Sequence, residues 1–289
     1  MKDLIVQGPA LSTEALDAFK VVCTPARITL LPARTPAARC VAVPDDGETR
    51  KAAQALADYW KLDAAFVDPT LRLRDFRLLA MDMDSTLINI ESLDEVAALA
   101  GKGEQVAAIT EAAMRGEIKD YAASLRQRVA LLAGVEAALL QRVLDERLRL
   151  NDGAADLVAA CKRAGLATLL VTGGFTFFTR VMQERLGIDY VRANELGLAD
   201  GRLTGAVTGP DGGPILDAEG KAQAVRSVCA QLACGTDRAI TIGDGANDLR
   251  MMALSGLSVA YRAKPVVRAQ ASQSLQHAPL DGVLRWFAD

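Results

Sequence analysis

The spacing of apolar positions changes character once along the chain, near residue 76. Before that point short apolar runs alternate with amphipathic stretches, which predicts strands at 4–6, 27–31, 39–43 and 64–67 and helices at 13–22 and 48–60. In "VPDDGETRKAAQALADYW" a turn is followed by apolar positions at Ala52, Ala55, Leu56 and Tyr59, the spacing of one helix face. The order β-α-β-β-α-β is the ferredoxin-like α+β plan. The polar stretch "VDPTLRLRDF" reads as a linker, so the expected units are residues 1–72 and 73–289.

Beyond the linker, "FRLLAMDMD", "LATLLVTGG", "AITIGDGAND" and "LSVAYRAKP" each place a run of apolar residues before Gly, Asp or another polar turn. Strands buried on both faces of a parallel sheet have this look, and "GAADLVAACKRAGL" and "KAQAVRSVCAQLA" supply helices between them. The expected architecture is α/β, a doubly wound parallel sheet. "ELGLADGRLTGAVTG" reads as a hairpin turning at Asp200 and Gly201. Some 80 residues separate the first of these strands from "LATLL", far more than a crossover needs. Most are helical in period, which predicts a helical cap inserted at about 91–150.

Composition narrows the function. With 51% hydrophobic residues the chain can bury a large core. Its 33 basic and 36 acidic residues give a net charge of -3, and no basic block is dense enough to follow a phosphate backbone, so no nucleic acid partner is expected. No apolar stretch is long enough to cross a bilayer and the first residues hold only a short apolar core, so a cytoplasmic protein with no membrane partner is expected. The five cysteines are scattered without a C-x-x-C pair, which fits reduced thiols better than a zinc site. A single histidine, His277, leaves no room for a histidine-based triad or metal centre. Carboxylates, hydroxyls and lysine must carry any catalysis.

In an open parallel sheet ligands bind beyond the carboxyl ends of the strands. Asp82 and Asp84 follow the first strand, Thr172, Gly173 and Gly174 the second, and Asp244, Asn247 and Asp248 the third; Lys221, ahead of its helix, can reach the same rim. A lone D-x-D is more often a solvated turn. Here several carboxylates converge on one crevice and repel each other, so they require a cation, and oxygen donors without histidine or cysteine suit Mg²⁺. Strand-end glycines, a hydroxyl and a lysine suit a phosphoryl group.

D-x-D-x-T, a threonine at a strand end, a lysine and G-D-G-x-N-D, in that order over roughly 76–289, resemble the haloacid dehalogenase superfamily of phosphotransferases. "DMDSTLINIES", "VTGGF" and "IGDGANDLRMM" further resemble its phosphoserine phosphatase branch. The resemblance implies Asp82 as the nucleophile, forming an aspartyl-phosphate, and Asp84 as the general acid and base, both at one end of a strand and on one face of it. It implies Mg²⁺ held by the Asp82 carboxylate, the Asp84 backbone carbonyl and Asp244, with Asp248 and Asn247 at or near its outer shell. Thr172, usually serine in the family, and Lys221 would bind the phosphoryl oxygens, beside Gly173 and Asn247. In the cap, Glu91 matches the residue that pairs with a substrate ammonium and Arg128 the one that clamps a substrate carboxylate, a choice over Arg126 that rests on register. Tyr121, usually phenylalanine, and Met114 match other cap positions that line the site. The implied reaction is hydrolysis of O-phospho-L-serine; another small phosphorylated amino acid or metabolite, or transfer to an acceptor alcohol, stays open. The first 72 residues resemble an ACT-type domain, for which an amino-acid effector site, a homodimer contact and an inert relic all stay open.

Overall fold

The computed structural model describes residues 1–114, 117–118 and 120–288. The chain opens with β1 (Lys2–Gln7), α1 (Thr13–Cys23), β2 (Arg27–Leu31), β3 (Ala37–Val43), α2 (Gly47–Trp60) and β4 (Asp63–Val67). The strands form an antiparallel sheet in the order β2-β3-β1-β4. Both helices start where a short polar side chain caps them: Ser12 Oγ accepts from the Ala15 amide and Asp46 Oδ1 from that of Thr49. β1 extends past the expected 4–6 because its polar ends are used. Asp3 accepts from Arg39 at 3.0 Å and buried Gln7 donates to the Gly282 carbonyl at 3.2 Å.

Next come β5 (Leu78–Met81) and the cap helices α3 (Ser92–Leu99), α4 (Gly103–Met114), α5 (Tyr121–Ala130) and α6 (Ala138–Arg142). The chain then runs through α7 (Ala154–Arg163), β6 (Ala167–Phe175), α8 (Thr176–Leu186), β7 (Tyr190–Ala199) and β8 (Arg202–Thr208). It closes with α9 (Ala218–Gln231), β9 (Ala239–Gly243), α10 (Leu249–Met252), β10 (Leu257–Tyr261), α11 (Pro265–Arg268) and β11 (Gln273–Leu275). The seven-stranded sheet runs β11-β10-β9-β5-β6-β7-β8 and is parallel except for the β7–β8 hairpin. That hairpin turns at Asp200 and Gly201, both at positive φ. α8 and β11 lie outside the expected elements; β11 is a three-residue edge strand with too few apolar positions to show a period.

Alternation along β5 explains the two layers. Leu79 and Met81 join one apolar cluster with Leu157, Phe178 and the cap residues Val96 and Leu125, while Leu78 and Ala80 join another with Val225 and Val228 of α9. The cap is braced by the hairpin as well: the Gly134 amide donates to Leu203 O and the Leu203 amide to Val135 O, each at 2.8 Å. Gly205 of β8 sits at φ +82, where a Cβ would come within 2.9 Å of Ala133, so only glycine permits this approach. No helix among the described residues is long and apolar enough to cross a membrane.

The segment expected as a linker joins two surfaces that touch. Ile5, Ala65 and Val67 on one face of the first sheet enter the same cluster as Leu275, Val283 and Trp286, whereas Leu4, Val6 and Phe66 face α1 and α2. Buried Asp63 fastens this junction by accepting from the amides of Gln276, His277 and Ala278, the shortest at 2.6 Å. His277 thus serves at the junction through its backbone. Asp63→Ala would leave three amides without their acceptor, and a loss of about 2–4 kcal/mol in urea unfolding is expected with turnover per folded molecule unchanged.

Candidate active site

β5 is too short to carry both aspartates. The Asp82 amide still bonds to Ile242 O at 3.0 Å, but the chain then coils, with Ser85 at φ +55 and the Ile88 amide returning to Met83 O at 3.0 Å. Asp84 therefore lies in this turn, and the expectation that the two share one strand face is corrected: β5 ends at Met81 and the coiled segment Met83–Leu87 begins between the two aspartates, so no strand face is common to both. The turn separates the two carboxylates in function as well as place. Asp82 Oδ1 accepts from the Met83 amide at 2.7 Å, whereas Asp84 accepts from the Ser92 amide at 3.1 Å and the Ser92 hydroxyl at 3.2 Å.

Lys221 stands inside the first turn of α9, one step past its expected place ahead of the helix, because Asp217 is the cap and accepts from the Gly220 amide at 2.8 Å. Its stem is fully buried and its Nζ lies 2.7 Å from both Asp82 Oδ2 and Asp248 Oδ1. Asp248 also receives the amides of Asp244 and Gly245 on Oδ2, so its oxygens are all engaged. Asp244 Oδ1 accepts from Thr86 at 2.8 Å. Thr172 Oγ1 accepts from the Gly174 amide at 2.9 Å where the pairing of β6 with β7 breaks between Val171 and Phe175. Gly173 and Gly174, within that break, line the cavity.

One cavity of about 760 Å³ unites these groups with the cap. Asp82, Asp84, Thr172, Gly173, Asp244 and Asn247 line it from the sheet; Glu91, Tyr121 and Arg128 line it from the other side. Arg128 faces the cavity while Arg126 is exposed elsewhere, and the buried Arg128 Nε has no partner among the described residues. Glu91 Oε1 accepts from Ser85 Oγ at 2.7 Å. The Met114 side chain lies outside the described residues.

Sequence reasoning missed the groups that hold these side chains. Ser92 fixes Asp84 and Thr86 fixes Asp244; Thr86 stands in the D-x-D-x-T motif and could have been given a role there. Asn194, fully buried, donates to Gly173 O and accepts from the Leu216 amide, each at 2.8 Å, but sits in a hairpin strand with nothing local to mark it. Arg262 and Lys264, after β10, also reach the cavity rim.

The site is rich in negative charge that burial makes costly. Burial, then Glu91 and Asp82, hold the Asp84 carboxyl well above the usual range against the Ser92 bonds. Burial and then Asp82 push Asp244 up to about 7, and the same two causes push Asp248 to about 6 against Lys221. Burial alone would lower Lys221, but Asp248 and Asp82 outweigh it and hold the ammonium charged. Asp82, Asp244 and Asp248 each offer an oxygen within 4.8 Å of the others. A hard divalent cation fits this set, because the donors are all carboxylate oxygens and Asp244 makes no salt bridge among the described residues.

The haloacid dehalogenase-like hydrolase model matches residues 79–253, which contain every group just described from Asp82 to Asp248. The chain belongs to this hydrolase family. It is 57% identical over 216 residues to a phosphoserine phosphatase of Polaromonas sp. (strain JS666 / ATCC BAA-500), covering 75% of this chain and 92% of that one. The hydrolase also superposes on a haloacid dehalogenase family hydrolase from Salmonella enterica subsp. enterica serovar Typhi over 100% of this chain and 99% of that one, with a TM-score of 0.86 at 28% identity. A substrate-bound phosphoserine phosphatase complex matches 74% of this hydrolase and 99% of its own chain, with a TM-score of 0.67 at 31% identity.

Proposed function

We propose that the hydrolase is a phosphoserine phosphatase, cleaving O-phospho-L-serine to L-serine and phosphate by way of an aspartyl-phosphate on Asp82. The observation that carries this reading is the single cavity in which a phosphoryl-transfer set faces two cap side chains of opposite charge, Glu91 and Arg128. An amino acid ester of phosphate has the matching groups: an ammonium for Glu91 and a carboxylate for the Arg128 guanidinium.

The Asp82 carboxylate attacks phosphorus; Lys221, 2.7 Å from Oδ2, stands beside it and neutralises charge on the phosphoryl oxygens. Thr172 and the backbone at Gly173 receive those oxygens, with Asn247 on the facing loop. Asp84, protonated more readily than an ordinary carboxylic acid and held by Ser92, gives its proton to the serine alkoxide and then takes one from the attacking water. Asp82, Asp244 and the Asp84 carbonyl would hold Mg²⁺, and Asp248 would brace Lys221 and the 244–245 amides behind them. When bound, the ion supplies positive charge for the phosphoryl oxygens.

The same reading takes 1–72 as an ACT-like unit open to an amino-acid effector or a homodimer contact, 73–289 as the catalytic domain, and about 91–150 as its cap. It places the enzyme in the cytoplasm, which suits the thiols: burial pushes Cys23 to about 11 and Cys40, Cys161 and Cys229 to about 12, so they stay protonated and act as packing.

Arg128→Ala is expected to lower kcat/KM for phosphoserine by about 10²–10³, the loss of one charge-assisted carboxylate clamp, while an aryl phosphate without carboxylate or ammonium changes by less than about threefold. Steady-state kinetics with both substrates and Mg²⁺ decide it. Equal losses on both would remove the amino acid from the reading.

A further inference from the structure

α5 carries a second residue whose chemistry the reaction scheme leaves unused. Asp120 caps the helix by accepting from the Ala122 amide at 3.0 Å, and Tyr121 follows as its first residue. Tyr121, Ser124, Leu125 and Arg128 all line the cavity. Spacings of three, four and seven place them on one helix face, and seven residues span about 10.5 Å of helix axis. One face of α5 is therefore a wall of the site, with Arg128 at one end and Tyr121 at the other.

The Tyr121 end meets the core at its phosphoryl-binding side. A Cβ at Gly173 would collide with Tyr121 Oη, so the phenol rests directly against Gly173. The same hydroxyl lies within the fields of Lys221, Asp82 and Asp84, the groups that surround the reacting phosphorus. Burial pushes its pKa up to about 12, so it remains a donor throughout the neutral range. No group among the described residues bonds to it. The carboxylates near it have donors of their own: Asp82 has Met83 and Lys221, and Asp84 has Ser92. The half-buried hydroxyl lines the cavity with its donor uncommitted, and the acceptor that enters this space in the reaction is a phosphoryl oxygen.

We propose that the Tyr121 hydroxyl binds the phosphoryl group by donating a hydrogen bond to one of its non-bridging oxygens. This rests on the phosphatase reading and deepens it: one cap helix then grips both ends of the substrate, phosphoryl at Tyr121 and carboxylate at Arg128. Tyr121 reaches that oxygen because α5 lies against Gly173, and a phenylalanine at this position would pack there without the hydrogen bond.

The test separates the two ends of the site by product inhibition, read with an aryl phosphate as reporter substrate so that it does not depend on phosphoserine turnover. Tyr121→Phe is expected to weaken inhibition by inorganic phosphate about tenfold, with inhibition by L-serine within twofold of the unaltered enzyme and the unfolding midpoint unchanged. Arg128→Lys is expected to do the reverse. Phosphate inhibition that survives Tyr121→Phe would overturn the proposal, and so would equal weakening of both inhibitors, which marks the ring as packing. Failure of the unaltered enzyme to hydrolyse phosphoserine would instead strike the substrate reading, and the phosphate arm would still decide the role of Tyr121.

Discussion

Asp82→Asn lowers kcat for phosphoserine by about 10⁴–10⁶, the expected cost of removing a covalent nucleophile whose partners stay in place. The surroundings leave an amide no useful alternative. Oδ1 accepts from the Met83 amide and Oδ2 faces the Lys221 ammonium, each at 2.7 Å, so whichever way the amide turns, its NH₂ meets another donor. The substitution is isosteric and removes a negative charge from a crowded site, so folding should be retained while chemistry is lost. Phosphate release measured under saturating substrate, beside circular dichroism of the variant, checks both halves. Activity within tenfold of the unaltered enzyme would exclude Asp82 as the nucleophile.

The polar residues that line the cavity from the strand ends were legible in the sequence, and the residues that position them mostly were not. Asp82, Thr172 and Asp244 each end an apolar strand run, and the parallel sheet brings all strand ends to one rim, so fold class and site position come from the same signal. The short run before Asp82 does not show where the sheet ends, so a strand-face reading of Asp84 overlooks that β5 stops at Met81 and the chain coils from Met83. The sequence reading sets Lys221 ahead of its helix because the cap role of Asp217 competes with a plain loop reading of "LDAEG". Asn194 illustrates the larger limit. Its partners, Gly173 and Leu216, lie 21 and 22 residues away, and no local period marks a side chain whose task is defined by distant backbone. The junction at Asp63 is hidden for the same reason, since its amide donors are more than 200 positions away.

Lys221→Met is expected to remove catalysis and a large share of stability together, with the stability loss depending on pH in a stated direction. Lys221 is the one cation between Asp82 and Asp248 among the described residues, and all three side chains are buried. Removing one member of such a set leaves uncompensated charge, which costs about 3–5 kcal/mol, and kcat should fall by about 10²–10³ with the lost phosphoryl contact. The lysine's own contribution is flat near neutrality: its folded value is raised, so the stabilisation is complete below the ordinary lysine value and fades only as pH rises through the folded one. In the variant the sign belongs to the carboxylates. Burial and Asp82 already raise Asp248 to about 6, and without the ammonium nothing offsets them, so the folded state binds more protons than the unfolded one and stability falls as pH rises. Urea unfolding in chelator should therefore show the full deficit near pH 8 and a smaller one near pH 5. A deficit equal at both, or below about 1 kcal/mol, would mean that Lys221 does not compensate the two aspartates, and with that the charge arrangement beneath the nucleophile would have to be redrawn.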